Sequence, residues 1–124
     1  MNSQDLILEY IKAYNAKDIG AMMALFGEGC LFENVSGGKV TVCTQSKTEL
    51  ESLARQSAAV FATREQKVIS LTEGQGRVIA EIDYHAILQS DLSPDLKSGS
   101  ELNLRGVSVF EISGGKIARL TDYS

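Results

Sequence analysis

Near residue 64 the hydrophobic pattern of this chain changes period, and that change limits the fold more than any other feature. Before it, apolar residues recur mostly at helical spacing; after it they alternate, as a strand requires. Ile7, Tyr10, Ile11 and Tyr14 fall at i, i+3, i+4 and i+7, so one helix face carries all four. Asn2 or Ser3 can cap the start of that helix, and Asn15 to Lys17 ends it. Asp18 reads as the N-cap of a second, shorter helix through Met22, Met23, Leu25 and Phe26, stopped by Gly27 and Gly29. Cys30 to Val35 alternates like a strand and runs into a Gly37-Gly38 turn, followed by a second β-like piece from Lys39 to Cys43. A third helix opens near Ser46, whose spacing to Glu49 makes a capping box; its apolar set is Leu50, Leu53, Ala54, Val60 and Phe61.

Beyond Arg64, the stretches Lys67 to Thr72, Arg77 to Leu88, Leu102 to Ile112 and Lys116 to Tyr123 all read as strands. The turn signals Glu73 to Gly76 and Ser113 to Gly115 join them as antiparallel hairpins. Gln89 to Ser100 holds the only proline and reads as a long connection, of the kind that forms a rim or lid over a site. Helices followed by a meander define an α+β class. The expected architecture is three N-terminal helices packed on a strongly curved antiparallel sheet, a cone with an internal pocket. Residues 1–124 make one domain, with no linker, repeat or low-complexity tract.

Composition narrows the chemistry. Twelve basic and sixteen acidic side chains give a net charge of −4, and no basic run argues for nucleic acid or a membrane surface as partner. Two cysteines and one histidine cannot close a four-ligand zinc site without carboxylates, so no metal is expected. Any serine or cysteine nucleophile would have to rely on His85, the single histidine. No stretch approaches the roughly 18 apolar residues of a membrane span, and Met1 to Asp5 does not resemble a signal peptide. A cytoplasmic protein with Cys30 and Cys43 as reduced, buried thiols is expected. Acid–base chemistry by carboxylates, hydroxyls and amides remains, and the length leaves no second domain to supply a cofactor.

Strand alternation then shows which polar side chains share otherwise apolar faces. Ala118, Leu120 and Asp122 share one; Leu102, Leu104, Gly106, Ser108, Phe110 and Ile112 another; Cys30, Phe32 and Asn34 a third. Each face carries one polar residue capable of chemistry, Asp122, Ser108 or Asn34, and the first helix adds Tyr10 and Tyr14 to the apolar set. A buried carboxylate must be partnered, protonated or wet. A carboxyl of raised pKa beside an amide and hydroxyls is an acid–base kit. Each residue also has a plainer reading: Asp122 at a frayed strand end, Ser108 as a satisfied core hydroxyl, Asn34 as a turn former, the tyrosines as core. The strand from Arg77 to Leu88 is open in both senses. Its charged face, with Glu81, Asp83 and His85, points either to solvent or into the cavity. Val107 and Val109, opposite Ser108, suit a sheet whose outer face is also covered, which favours a homodimer.

The run from Tyr10 to Phe26 (YIKAYNAKDIGAMMALF), the segment Cys30 to Asn34 (CLFEN) and the closing stretch Arg105 to Tyr123 (RGVSVFEISGGKIARLTDY) resemble the SnoaL-like polyketide cyclases. These belong to the nuclear-transport-factor-two-like superfamily, with ketosteroid isomerase, scytalone dehydratase and limonene-1,2-epoxide hydrolase. The resemblance puts Asp122 in the place of the cyclases' acid–base aspartate, while their partner histidine falls at Ser108. Tyr10 takes the place of the isomerases' oxyanion tyrosine, but their two aspartates fall at Asn34 and Ser108, which makes steroid isomerisation improbable. Against the epoxide hydrolases, Asn34 matches the water-positioning asparagine, Asp122 the water-activating aspartate and Asp83 the acid-donating aspartate. Phe32 stands where they have a tyrosine and Glu81 where they have an arginine.

The expectation is therefore a cofactor-independent acid–base enzyme of isomerase, cyclase or hydrolase type. Asp122, Asn34 and Asp83 would be catalytic, and Tyr10, Tyr14, Phe32, Ser108, Phe110 and Leu120 would contact a small, largely apolar ligand of polyketide, terpenoid or steroid kind. The competing expectations are a non-catalytic carrier of a hydrophobic ligand and a structural dimer with a vestigial cavity.

Overall fold

A computed structural model describes residues 1–124 as three helices followed and interleaved by six strands. The first helix, α1 (Ser3–Asn15), starts as its sequence dictates: the Asn2 side chain accepts from the Asp5 amide at 2.8 Å. Asp18 does the same for α2 (Ile19–Ala24), accepting from Ala21 at 3.1 Å. In α3 (Lys47–Val60) Ser46 accepts from the Glu49 amide, but the Glu49 carboxylate returns to the Gln45 amide rather than that of Ser46, a shifted capping box.

The strands are β1 (Phe26–Ser36), β2 (Lys39–Thr44), β3 (Phe61–Gly74), β4 (Arg77–Leu88), β5 (Glu101–Ser113) and β6 (Lys116–Tyr123). They form one sheet in the order β2-β1-β6-β5-β4-β3, antiparallel throughout except for the parallel pair β1–β6. Three hairpin turns carry consecutive positive φ angles at Gly37-Gly38, Gln75-Gly76 and Gly114-Gly115, the twist a two-residue hairpin needs.

Two boundaries differ from the pattern reading, for one reason. Phe26 begins β1 rather than ending α2, and Gly27 and Gly29 lie inside the strand instead of stopping the helix. Likewise β3 begins at Phe61, directly after α3, with no turn between them. Glycines and a short apolar run carry no period of their own, so pairing decided both: Phe26 pairs with Ile117, and Phe61 with Leu88.

The core lies between the helices and one face of the sheet. Ile7, Tyr10 and Ile11 of α1, Met22 and Met23 of α2, and Leu50 and Ala54 of α3 meet Phe26, Val78, Ala80, Phe110, Ile117 and Leu120 of the sheet. Tyr10 packs edge-on against Phe26 and Phe110, with ring centroids 5.5 and 5.7 Å away. Cys30 is buried and Cys43 exposed, so only one of the two free thiols is a core residue, because Cys43 takes the outward position of β2. The connection 89–100 is held by its own contacts, with Ser98 bonded to the Asp91 carboxylate and a bridge between Ser93 and Leu96. None of its residues lines the cavities described below, so it is not a lid over them.

Candidate active site

Register places the polar residues of the inner sheet face in one row. Asn34 of β1 is opposite Asp122 of β6, Asp122 is opposite Ser108 of β5, and Ser108 is opposite Ala80 of β4. Opposed residues in paired strands point to the same face, so the amide, carboxyl and hydroxyl come together from segments distant in sequence. Ser108 donates to the Asp122 carboxylate at 2.6 Å. The Asn34 amide nitrogen donates to the Thr41 hydroxyl at 2.9 Å, and that hydroxyl donates to the Asn34 carbonyl oxygen at 3.2 Å. The second bond goes to the Asn34 main chain and holds the Thr41 hydroxyl, which in turn orients the Asn34 amide.

This row borders a cavity of about 270 Å³ between sheet and helices, with walls that are mostly apolar: Phe26, Phe32, Leu50, Leu53 and Phe61 among them. Asn34, Asp122, Tyr10, Tyr14, Tyr84 and Arg64 supply most of its polar character. A second cavity of about 170 Å³ lies toward Gly106, Tyr123 and Ser124, and shares Tyr14, Asn34, Tyr84 and Asp122 with the first. Asp122 thus stands where the two meet.

The electrostatics follow from that position. Burial in apolar surroundings pushes the Asp122 carboxyl up to about 6, while the Ser108 hydroxyl opposes the shift by bonding the ionised form. A carboxyl with such a value holds and releases a proton near neutral pH. Burial, reinforced by the Asp122 charge, raises Tyr10 above the ordinary phenol range. Tyr14 and Tyr84 share a hydrogen bond of 2.9 Å between their hydroxyls, and burial raises both. All three phenols are therefore neutral hydrogen-bond partners. No group of three or more His, Cys, Asp and Glu side chains comes together as metal ligands would.

Of the residues singled out in the sequence, Tyr10, Tyr14, Phe32, Asn34 and Asp122 line the larger cavity. Ser108 lines the smaller one and is buried against Asp122. Phe110 and Leu120 are enclosed in the core, 0% and 1% exposed, and border neither cavity; they support Tyr10 and the sheet instead of meeting a ligand. Asp83 is corrected as well. Ile82 and Tyr84 take the inner side of β4, so alternation turns Asp83 outward, where it pairs with His85 at 3.3 Å. Its neighbour Glu81 also lies on that side, joined to Arg105 and Ser70.

Tyr84, Arg64 and Ser57 also place polar groups on the larger cavity, and the sequence pattern gives none of them a role there. Arg64 is 5% exposed, and its guanidinium carbon lies 3.7 Å from the centre of the Tyr14 ring. Extending the alternation of β3 back from Val68 through Gln66 reaches Arg64 on the inner face, the one signal that could have found it.

Residues 7–120 match the family model of the SnoaL-like domain. No curated protein matches the chain. Among solved structures, a candidate polyketide cyclase from Xanthomonas campestris pv. campestris superposes with a TM-score of 0.84 at 22% identity, covering 98% of this chain and 88% of its own. A protein of ketosteroid isomerase-like fold from Catenulispora acidiphila, solved with trimethylamine, gives 0.80 at 10% identity, over 99% and 87% of the two chains. An M. tuberculosis epoxide hydrolase of the limonene-hydrolase-like type gives 0.77 at 18% identity, over 96% and 79%. The helices, the strand order and these superpositions agree, and the chain belongs to the SnoaL-like domain family, with the nuclear-transport-factor-two-like, or cystatin, fold.

Proposed function

We propose that this protein is a cofactor-independent acid–base enzyme acting on a small, largely apolar substrate, with Asp122 as the group that takes and returns the proton. The observation that carries this reading is the Asp122 carboxyl, raised to about 6 at the junction of two cavities and held by the Ser108 hydroxyl. As a carboxylate it accepts a proton from a substrate carbon or from water; once protonated it can donate it back. Asn34, fixed by Thr41, is placed to orient a water or an enol oxygen, and the Tyr14–Tyr84 hydroxyl pair can donate to an oxygen that gains negative charge. Tyr10 and Phe32 supply wall contacts. Asp83, on the outer face, has no part in this chemistry.

The cyclase and epoxide-hydrolase names of the structural neighbours fit a substrate of polyketide or terpenoid kind, and a homodimer through the outer sheet face accompanies the reading. Incubation with small enones, β,γ-unsaturated ketones and epoxides, followed by mass and NMR analysis of products, tests it. Turnover by the wild type that Asp122→Asn loses, with the fold intact, supports the assignment; full turnover in that variant overturns it.

A second reading, a carrier of a hydrophobic ligand, draws on the mostly apolar walls of the larger cavity. Recovery of a bound ligand from purified protein by native mass spectrometry, released chemically unchanged, favours the carrier.

A further inference from the structure

Arg64 is a buried cation without a counter-charge. Its Nε donates to the Tyr14 carbonyl oxygen at 3.1 Å, its only hydrogen bond, while Nη2 is enclosed with no partner. The only other buried side-chain polar atom in that condition is Thr44 Oγ1. None of the six ion pairs of the protein includes Arg64. Asp122, the one acidic residue on the larger cavity, does not neutralise it. Arg64 belongs to the row of Ala86 on β4 and Asp122 to the row of Ala80, and the Asp122 carboxylate is bonded to Ser108. The cavity therefore holds one cation and one acid that do not touch.

A fold retains an unpaired buried charge at considerable cost unless something supplies the missing partner. The Tyr14 ring under the guanidinium offsets part of that cost, but it leaves the donors on Nη2 unused. An arginine held in this way suits the planar, two-oxygen geometry of a carboxylate.

We propose that Arg64 is the anion anchor of the cavity and that the natural ligand is a small organic carboxylate, its acid end held by Arg64 and its apolar body against Phe61, Leu53 and Phe32. One hydroxyl of the bonded Tyr14–Tyr84 pair keeps its proton free as a further donor to the carboxylate, and the Tyr14 ring lies under the anchor. For the reacting end of the ligand, which faces Asp122, this rests on the acid–base reading; the anchor itself does not depend on it.

Calorimetric titration with 2-naphthoate and its neutral counterpart 2-naphthamide tests the proposal. The wild type should bind the carboxylate tighter by about tenfold or more, the scale of a charge-assisted bond in a buried site. Arg64→Met should abolish that preference and Arg64→Lys should keep part of it. Equal or tighter binding of the amide by the wild type, no detectable binding of 2-naphthoate, or an unchanged preference in Arg64→Met would overturn the anchor. If Arg64→Met does not fold, the wild-type pair and Arg64→Lys decide. Asp122→Asn should retain the preference; its loss there would transfer the anion site away from Arg64. The acid–base reading fails separately, when carbon-13 NMR finds the Asp122 carboxyl titrating in the ordinary carboxylate range.

Discussion

Asp122 joins stability and chemistry in one side chain. Its carboxyl is raised to about 6 from an ordinary value of 3.8, so the folded protein binds a proton there that the unfolded chain has already lost. Below about pH 4 both states are protonated and the residue contributes no penalty. As pH rises from about 4 to 6 the folded state loses stability, and above 6 the loss is constant at roughly 1–3 kcal/mol. Asp122→Asn should thus melt higher than wild type at pH 8 and close to it at pH 4, which urea titrations at both values will show. Gly106 is a second residue whose identity is dictated by its surroundings. A Cβ there would meet the Tyr123 carbonyl oxygen at 2.6 Å, and main chain cannot retreat as a flexible side chain can. Gly106→Ala should destabilise the fold by about 1–3 kcal/mol. It should also shift the end of β6, changing the Asp122 titration without touching any group that bonds to it, as carbon-13 NMR would record. Asn34, Ser108 and Asp122 were legible in the sequence because each interrupts an apolar alternation. Arg64 was not, because a charged residue beside a helix end reads as solvent-exposed until a paired strand turns it inward.

Each helix begins where a capping side chain was visible, so element starts are local properties of this chain. Removing the Ser46 hydroxyl in Ser46→Ala should cost about 1 kcal/mol, measured by chemical denaturation, since one amide of the first turn of α3 loses its acceptor. Element ends were less readable. The strands β4 and β6 kept their expected limits, their starts fixed by hairpin turns, whereas β1 and β3 extend backward almost to the helix before each. That extension matters to the site: it brings Phe26, Phe61 and Arg64 to the cavity wall. The bulge between Glu111 and Ile112, opposite Ala118, allows both Ile117 and Leu120 to face the core, which strict alternation along β6 would forbid.

At the scale of the whole molecule, the sheet has one face under the helices and one that still shows apolar side chains. Ile79, Ile87 and Val107 are 37–41% exposed there, among ion pairs such as Arg105–Glu81 and the Arg119 links to Glu33 and Glu111. If that face joins two copies, Val107→Lys should shift the protein from dimer to monomer in analytical ultracentrifugation while its melting curve stays cooperative. A wild type that sediments as a monomer removes the dimer from the reading. No helix is long and apolar enough to cross a membrane. The sequence by itself determined the α+β class, the helix caps, the hairpins and the short list of polar residues on apolar faces, because these follow from period and turn chemistry within a few residues. Only the tertiary structure decided that Asn34, Asp122 and Ser108 form one row, that Asp83 faces outward, and that Arg64 enters the cavity without a counter-charge. Those outcomes depend on which strands pair and in what register, and pairing is set by burial across the whole sheet rather than by any local segment.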